Sequence, residues 1–347
     1  MMKLRNALYL AAATTAVSAV TLATIQPADA QRQSMRWNTS DVGSYGYAVA
    51  SSMVDLLDQA LGDEYTVTVH PYPSTTAAKI ATMDGDGEIS YTADVGMRQL
   101  YDRSGPFEGY EPTTGELVHT FYAYPMETFL VVSSDRADEF DSWSDFAGEP
   151  VFYTPAGFMN WLNMGRIFNA LELDQNHVEI DSATTADALE AGSIVGAAAY
   201  TTAGASLPTY WREAELRADV TAVNPTDEEI ERMRAAGLSV VEINPSTAFS
   251  QDLGVDTVYA VPIFFGYNVR ADMDEEIVYD MLTVFHDNID ALVEGDPGFR
   301  PLAEDFVGTQ AAGVAGNPDI PVHPGLARFL QEHDAWDDSW TIADDQS

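Results

Sequence analysis

Three short stretches of hydroxyl and small residues carry the chemistry this sequence offers: Ser40-Asp41-Val42-Gly43-Ser44, Ser74-Thr75-Thr76 and Thr154-Pro155-Ala156-Gly157. Each follows a run that reads as a β-strand and precedes one that reads as a helix. A helix starting at such a loop leaves its first N–H groups unpaired and is partly positive at that end, so it draws a carboxylate or another anion without a basic side chain. That matters in a chain with Lys+Arg 16 against Asp+Glu 55, where basic side chains are scarce. In open α/β sheets these loops lie at the carboxyl ends of strands, where ligands settle. One Ser/Thr/Gly loop need do no more than cap a helix. Three in one chain point to a shared anion site, and they contribute Ser40, Gly43 and Ser44, then Ser74, Thr75 and Thr76, then Pro155 and Gly157, with Phe158, Met159 and Asn160 following.

Catalysis finds little footing by comparison. There is no Gly-x-Ser-x-Gly turn and no His-Glu-x-x-His motif, and the six histidines are scattered. Paired carboxylates arise by chance at this acid density and mark no acid–base couple. Asp84-Gly85-Asp86-Gly87-Glu88 is spaced like a calcium loop, but Val95 stands where the bidentate Glu belongs, which leaves a plain turn. With Cys 0, disulfides, thiolate metal sites and an acylated N-terminal cysteine are excluded. No cofactor and no metal are expected.

A formal charge of -39, spread over the whole chain, repels phosphate backbones and anionic lipid, so nucleic acid is not an expected partner. It suits a salty habitat, in which ions screen the self-repulsion. Lys3 and Arg5, the apolar stretch Ala7 to Ala23 and Ala28-Asp29-Ala30 read as a secretory signal, residues 1–30, cleaved after Ala30. That stretch holds several hydroxyl residues and falls short of the ~20 apolar residues of a membrane span, as does every later segment. The expectation is a periplasmic monomer with no membrane insertion.

The elements that must hold the loops alternate strand and helix, the pattern of an α/β protein. Met35 to Thr39 is a strand; Val49, Met53, Leu56, Leu57 and Leu61 fall on one helix face. Tyr65 to Val69 is a strand, Thr75 to Ile80 a helix, and Ile89 to Thr92 a buried strand. Phe129 to Val132 and Pro150 to Tyr153 bracket the acidic segment Asp135 to Gly148, and a helix follows on Trp161, Met164, Phe168 and Leu171. Ile194 to Tyr200 is another strand. Thr226 and Glu229 form a capping box for a helix ending at Gly237, before a strand at Leu238 to Ile243. Val258 to Val269 reads as a long strand. Asp274 caps one long helix bearing Ile277, Met281, Phe285, Ile289 and Leu292, stopped by Gly295.

Nearly end to end, residues 31–347 resemble the solute receptors of TRAP transporters of the TAXI type (TRAP-associated extracytoplasmic immunogenic proteins). Thr39-Ser40-Asp41-Val42-Gly43-Ser44-Tyr45-Gly46-Tyr47 is similar to the family's first loop and its Gly-Thr-Tyr-Tyr stretch. Ser74 to Ile80 with Gly85-Asp86-Gly87-Glu88, and Tyr122-Pro125-Met126-Glu127 ahead of Leu130, follow in the family's order. Val258-Ala260-Val261-Pro262, Val269-Arg270-Ala271-Asp272 and the closing Val322-His323-Pro324-Gly325-Leu326-Ala327 complete it; His323 itself reads as packing at the start of a helix. Two departures touch the ligand loops: Ala156-Gly157-Phe158-Met159-Asn160 where the family has Gly-Ser-Gly-Thr, and Ala93-Asp94-Val95 where it has Gln-Ser-Asp. Phe158, Met159 and Trp161 suggest a more apolar or aromatic-lined cavity than a glutamate receptor needs, with core packing as the other reading.

The resemblance implies an α/β, two-lobed clam of the type II periplasmic-binding-protein class, with mixed sheets and a hinge of crossing strands near Tyr124 to Thr128 and Tyr259 to Phe264. Lobe I would hold residues 31–126 and 265–347, lobe II residues 127–264. A small solute, by family precedent a carboxylate, would bind between the lobes for delivery to TRAP membrane permease subunits. A carboxylate favours a guanidinium: Arg98 leads by position, with Arg166 and Lys79 behind it, and a surface salt bridge is the plainer role for Arg98. Asp94 joins the site by alignment, and Tyr45, Tyr91, Phe158, Asn160 and Tyr200 offer stacking or hydrogen bonds. An ABC importer's receptor, a sensor's binding protein and an exported hydrolase are the rival readings.

Overall fold

The computed structural model describes residues 32–344, so the expected signal peptide and cleavage site lie outside the described residues. β1 (Gln33–Thr39) buries Met35 and Trp37 on one face and lies parallel to both β2 (Tyr65–Pro71) and β3 (Ile89–Ala93). Between β1 and β2 runs α1 (Tyr45–Leu61), which turns Val49, Met53, Val54 and Leu57 inward at the expected helical spacing. α2 (Thr75–Met83) links β2 to β3, and α3 (Asp94–Tyr101) leaves β3 without an intervening loop. Ser44 and Ser74 cap α1 and α2: their hydroxyls accept the N–H groups of Tyr47 and Ala77.

Two long antiparallel strands then bind the molecule together. β4 (Leu117–Ser133) is buried along almost its whole length. It starts twelve residues before the strand expected at Phe129, because a strand covered on both faces carries polar residues such as His119 and Thr120 without alternation. β5 (Val151–Phe152), α4 (Met159–Ala170), α5 (Thr185–Glu190), β6 (Gly196–Thr202), α6 (Thr209–Ala214), β7 (Val220–Val223), α7 (Asp227–Ala235) and β8 (Val241–Ile243) lead to β9 (Val258–Arg270). The sheet order is β2-β1-β3-β9-β4-β6-β5, with β7 also on β4 and β8 also on β9. From Phe265 onward β9 pairs with β3, and before Val261 it pairs with β8; from Met126 onward β4 pairs with β6. Both strands therefore exchange neighbours in the same short stretch, where Tyr124, Pro125 and Met126 lie opposite Phe265, Phe264 and Ile263.

The capping box of α7 forms as expected, Thr226 and Glu229 each accepting from the other's N–H. The long helix after Asp274 does not form as one. α8 (Glu275–Asp287) ends at Asn288, whose φ of -123° leaves the helical region, and α9 (Ile289–Gly295) starts anew. Asn288 donates its side-chain amide to Val284 O at 2.9 Å, supplying locally a bond that competes with helix continuation. α10 (Arg300–Glu304), α11 (Phe306–Ala315) and α12 (Pro324–Glu332) close the chain over the first half of the sheet. His323 caps α12, its Nδ1 accepting from Gly325 N–H at 3.1 Å while its other ring nitrogen meets Met273 O at 3.0 Å, the packing role read from sequence. No helix among the described residues is long and apolar enough to cross a membrane.

Candidate functional site

The loops that open α1, α2 and α4 meet. The N–H and hydroxyl of Thr76 both donate to Gly157 O, at 3.4 and 3.0 Å, joining the start of α2 to the loop before α4 across 81 residues of sequence. Gly157 has φ +92°, a conformation that favours glycine, and a Cβ there would press on Ser74, 3.2 Å from its Cβ. Ser40 and Ser44 share a hydroxyl–hydroxyl bond of 2.7 Å. Around this junction lie two connected chambers. A narrow inner one, about 20 Å³, is walled by Ser40, Ser44, Tyr45, Thr75, Tyr91, Phe158, Met159, Asn160 and Tyr200, all expected from sequence, together with Gly46, Met126, Thr154 and Phe265. The outer one, about 300 Å³, is walled by Gly43, Ser44, Phe158 and Tyr200 from the expected set, and by Asp41, Thr154, Asp181, Ser182, Ala183, Thr209, Tyr210 and Glu213. Ser44, Thr154, Phe158 and Tyr200 belong to both and mark the passage between them.

Several wall residues are tied to the fold. Tyr91 shares its hydroxyl with Tyr124 at 3.0 Å and stacks on Phe265 with centroids 4.9 Å apart. Asn160 accepts from Thr128 on β4 at 2.8 Å. Burial, reinforced by the charge of Asp296, holds the Tyr45 phenol well above its ordinary pKa and therefore neutral. Thr154 is 3% exposed, and its hydroxyl, like that of Tyr45 in the same chamber, has no hydrogen-bond partner. α4, which starts five residues later, has no side-chain cap on its first turn either. An unpaired hydroxyl and an uncapped helix start at one passage can serve an acceptor group such as a carboxylate.

The expected cationic anchor is elsewhere. Arg98 lines neither chamber; Asp319 holds its guanidinium with two 2.9 Å bonds and Asp102 with one of 2.7 Å. These carboxylates occupy both terminal nitrogens of the guanidinium, while its buried Nε has no partner. Arg166, whose pKa burial lowers, donates to Asn163 at 3.3 Å and also lines neither chamber. Lys79 is fully buried directly behind the inner wall, its Nζ 4.0 Å from Met159 Sδ and 5.0 Å from the centroid of the Phe107 ring, and burial lowers its pKa to about 7. Asp94 lines neither chamber; its carboxylate accepts from Val95 N–H at 2.6 Å and Phe264 N–H at 3.1 Å, tying α3 to β9. Ser74, Thr76, Pro155 and Gly157 shape the junction without facing a chamber. Trp161 turns outward, 37% exposed.

The profile of the NMT1-like family matches residues 38–333, most of the chain. The chain belongs to the NMT1-like family. No curated protein matches it in sequence. Among solved structures it is similar to MatC from Rhodopseudomonas palustris with bound malate, at 11% identity and TM-score 0.53 over 85% of this chain and 98% of that one. The periplasmic aliphatic sulphonate binding protein SsuA from Escherichia coli matches at 14% identity and TM-score 0.45, over 86% and 78%. Likeness at this level shows the fold: a two-lobed α/β periplasmic-binding-protein-like architecture with mixed sheets and hinge strands, as the resemblance implied.

In this NMT1-like protein eight of the twelve residues of the outer wall were not among those chosen from sequence; two of them, Asp41 and Thr154, lie in loops that were. Asp181 to Ala183, Thr209, Tyr210 and Glu213 come from two segments that open short helices beyond β5 and β6. The signal was available: Asp181 is a helix cap, its carboxylate accepting from Ala183 N–H at 2.9 Å, and Thr209 opens a helix after a strand, like the three loops that were recognised. In the calcium-like run, which forms a turn, Asp84 accepts from Tyr110 and Thr113 and Asp86 binds Tyr72 and Arg36. No group of side chains suited to a metal occurs among the described residues.

Proposed function

We propose that this chain is an extracytoplasmic solute receptor that captures a small organic solute by its carboxylate between two lobes and presents it to the membrane subunits of a TRAP transporter. Lobe I is residues 31–126 and 265–347, lobe II is 127–264; the exchange of strand partners around Tyr124–Met126 and Ile263–Phe265 supports those limits. The observation that carries the reading is the convergence of helix-opening loops from both lobes on one passage, where Thr154 offers an unpaired hydroxyl and α4 an uncapped first turn. The carboxylate sits at that passage, with the rest of the solute in the outer chamber. Because the wall draws on both lobes, the solute binds the closed form better than the open form, and that difference drives closure about the two hinge strands. The closing Val322-His323-Pro324-Gly325 motif and the order of the earlier blocks favour a TRAP permease of the TAXI type as the client.

Thermal-shift screening of small organic acids in high salt tests the reading. An acid at 100 times its Kd adds about 2.7 kcal/mol to stability, and Thr154→Val weakens that acid while leaving the unliganded protein folded. A hit that is indifferent to Thr154, or a screen in which no acid shifts the melting temperature, sinks the proposal. A gene for a large multi-span TRAP subunit beside this one supports the client, whereas an ATPase gene in its place favours an ABC importer.

A further inference from the structure

The outer chamber carries a charge pattern that holding a carboxylate leaves unused. Asp41, Asp181 and Glu213 line it, none of them in an ion pair among the described residues, and no lysine, arginine or histidine lines either chamber. Acidic residues are common in this chain, so their presence at a rim decides nothing alone. Two independent features give it meaning. The same wall carries three aromatic rings, Phe158, Tyr200 and Tyr210, the two tyrosine rings 6.1 Å apart and inclined at 60°, among small and hydroxyl residues. The passage into the inner chamber ends on the buried, unpaired hydroxyl of Thr154, and the hydroxyl of Tyr210 is likewise buried and unpaired.

A solute held by its carboxylate at Thr154 must place its other end among those rings and acids. A second carboxylate there meets three like charges. A primary ammonium needs up to three hydrogen-bond acceptors in contact, but Asp41, Asp181 and Glu213 are exposed, at the rim rather than in the depth. A quaternary ammonium has no N–H to satisfy, is attracted to ring faces, and feels the rim carboxylates through space. From this, and resting on the receptor reading above, we infer that the solute is a zwitterion of betaine type, its carboxylate at Thr154 and the start of α4 and its alkylated ammonium between Phe158, Tyr200 and Tyr210.

Calorimetry with three probe series tests it: ω-trimethylammonio carboxylates with one to three methylenes, the uncharged tert-butyl carboxylates of the same lengths, and the corresponding unmethylated amino acids. Titrations are run at the lowest salt that keeps the protein folded, since salt screens the exposed acids. One trimethylammonio acid binds about tenfold or more tighter than its tert-butyl and unmethylated counterparts. Glu213→Gln, an exposed position, weakens that probe about fivefold and leaves the tert-butyl acid unchanged or tighter. A tert-butyl, unmethylated or dicarboxylic acid that binds as tightly, or a Glu213→Gln variant that does not discriminate, overturns the inference while leaving a carboxylate receptor in place. Absence of binding by every acid, charged or not, removes the receptor reading as well.

Discussion

A buried hydroxyl without a partner costs stability, of order 1–3 kcal/mol, unless a ligand uses it. Thr154 is such a group, and its replacement separates function from fold. Thr154→Val keeps the shape, so the unliganded melting temperature stays or rises, while affinity for a carboxylate solute falls about tenfold; calorimetry and thermal melts on the same samples check both halves. Arg98 predicts the opposite pattern. Its partners Asp102 and Asp319 have side chains 51% and 64% exposed, so Arg98→Ala costs at most ~1 kcal/mol of stability and leaves solute affinity unchanged. Lys79 adds a pH signature. Its folded pKa of about 7 lies below the ordinary 10.5, so between those values the unfolded chain holds the extra proton and stability rises with pH. Lys79→Met flattens that rise, read by chemical denaturation from pH 7 to 9.5, and stabilises the protein at pH 7; a slope that persists assigns the effect elsewhere.

The hinge strands supply a second titration with the reverse sign. Glu127 is buried on β4 opposite Pro262, accepting from Thr201 Oγ1 at 2.7 Å and Gly204 N–H at 3.1 Å, and burial raises its pKa to about 7. Above the ordinary 4.5 the unfolded carboxyl gives up its proton first, so stability falls as pH rises from about 4.5 to 7. Glu127→Gln removes that fall in denaturation midpoints across the window, and a variant that keeps it contradicts the assignment. Most elements at this scale were legible in sequence because their apolar residues keep a helical or alternating period: α1, β2 and α7 are where Val49 to Leu61, Tyr65 to Val69 and the Thr226 box put them. The first half of β4 was not, since burial on both faces erases alternation. The break at Asn288 was hidden because Ile289 and Leu292 stay near the apolar stripe of α8 and α9 on both sides of it.

For the molecule as a whole, a charge of -39 makes compaction depend on screening. Melting temperature rises with added KCl from low to molar concentration; a flat or falling profile contradicts the expected halophilic adaptation. Legibility of the site was uneven for a related reason. Loops that open helices announce themselves locally, and nine of the residues chosen from sequence line the inner chamber. The placing of Arg98 outside both chambers was not legible, because its partner Asp319 is 221 residues away and sequence gives no view of that pair. Asp181, Tyr210 and Glu213 were missed because an acid or a tyrosine beside a helix start is ordinary until folding sets it across from Ser44. The central claim is that loops from two lobes enclose one solute, and amide hydrogen exchange with and without a bound organic acid tests it most directly. Protection is expected together at residues 43–47, 75–77 and 154–161. Protection limited to one lobe, or lying outside these three segments, would contradict the account.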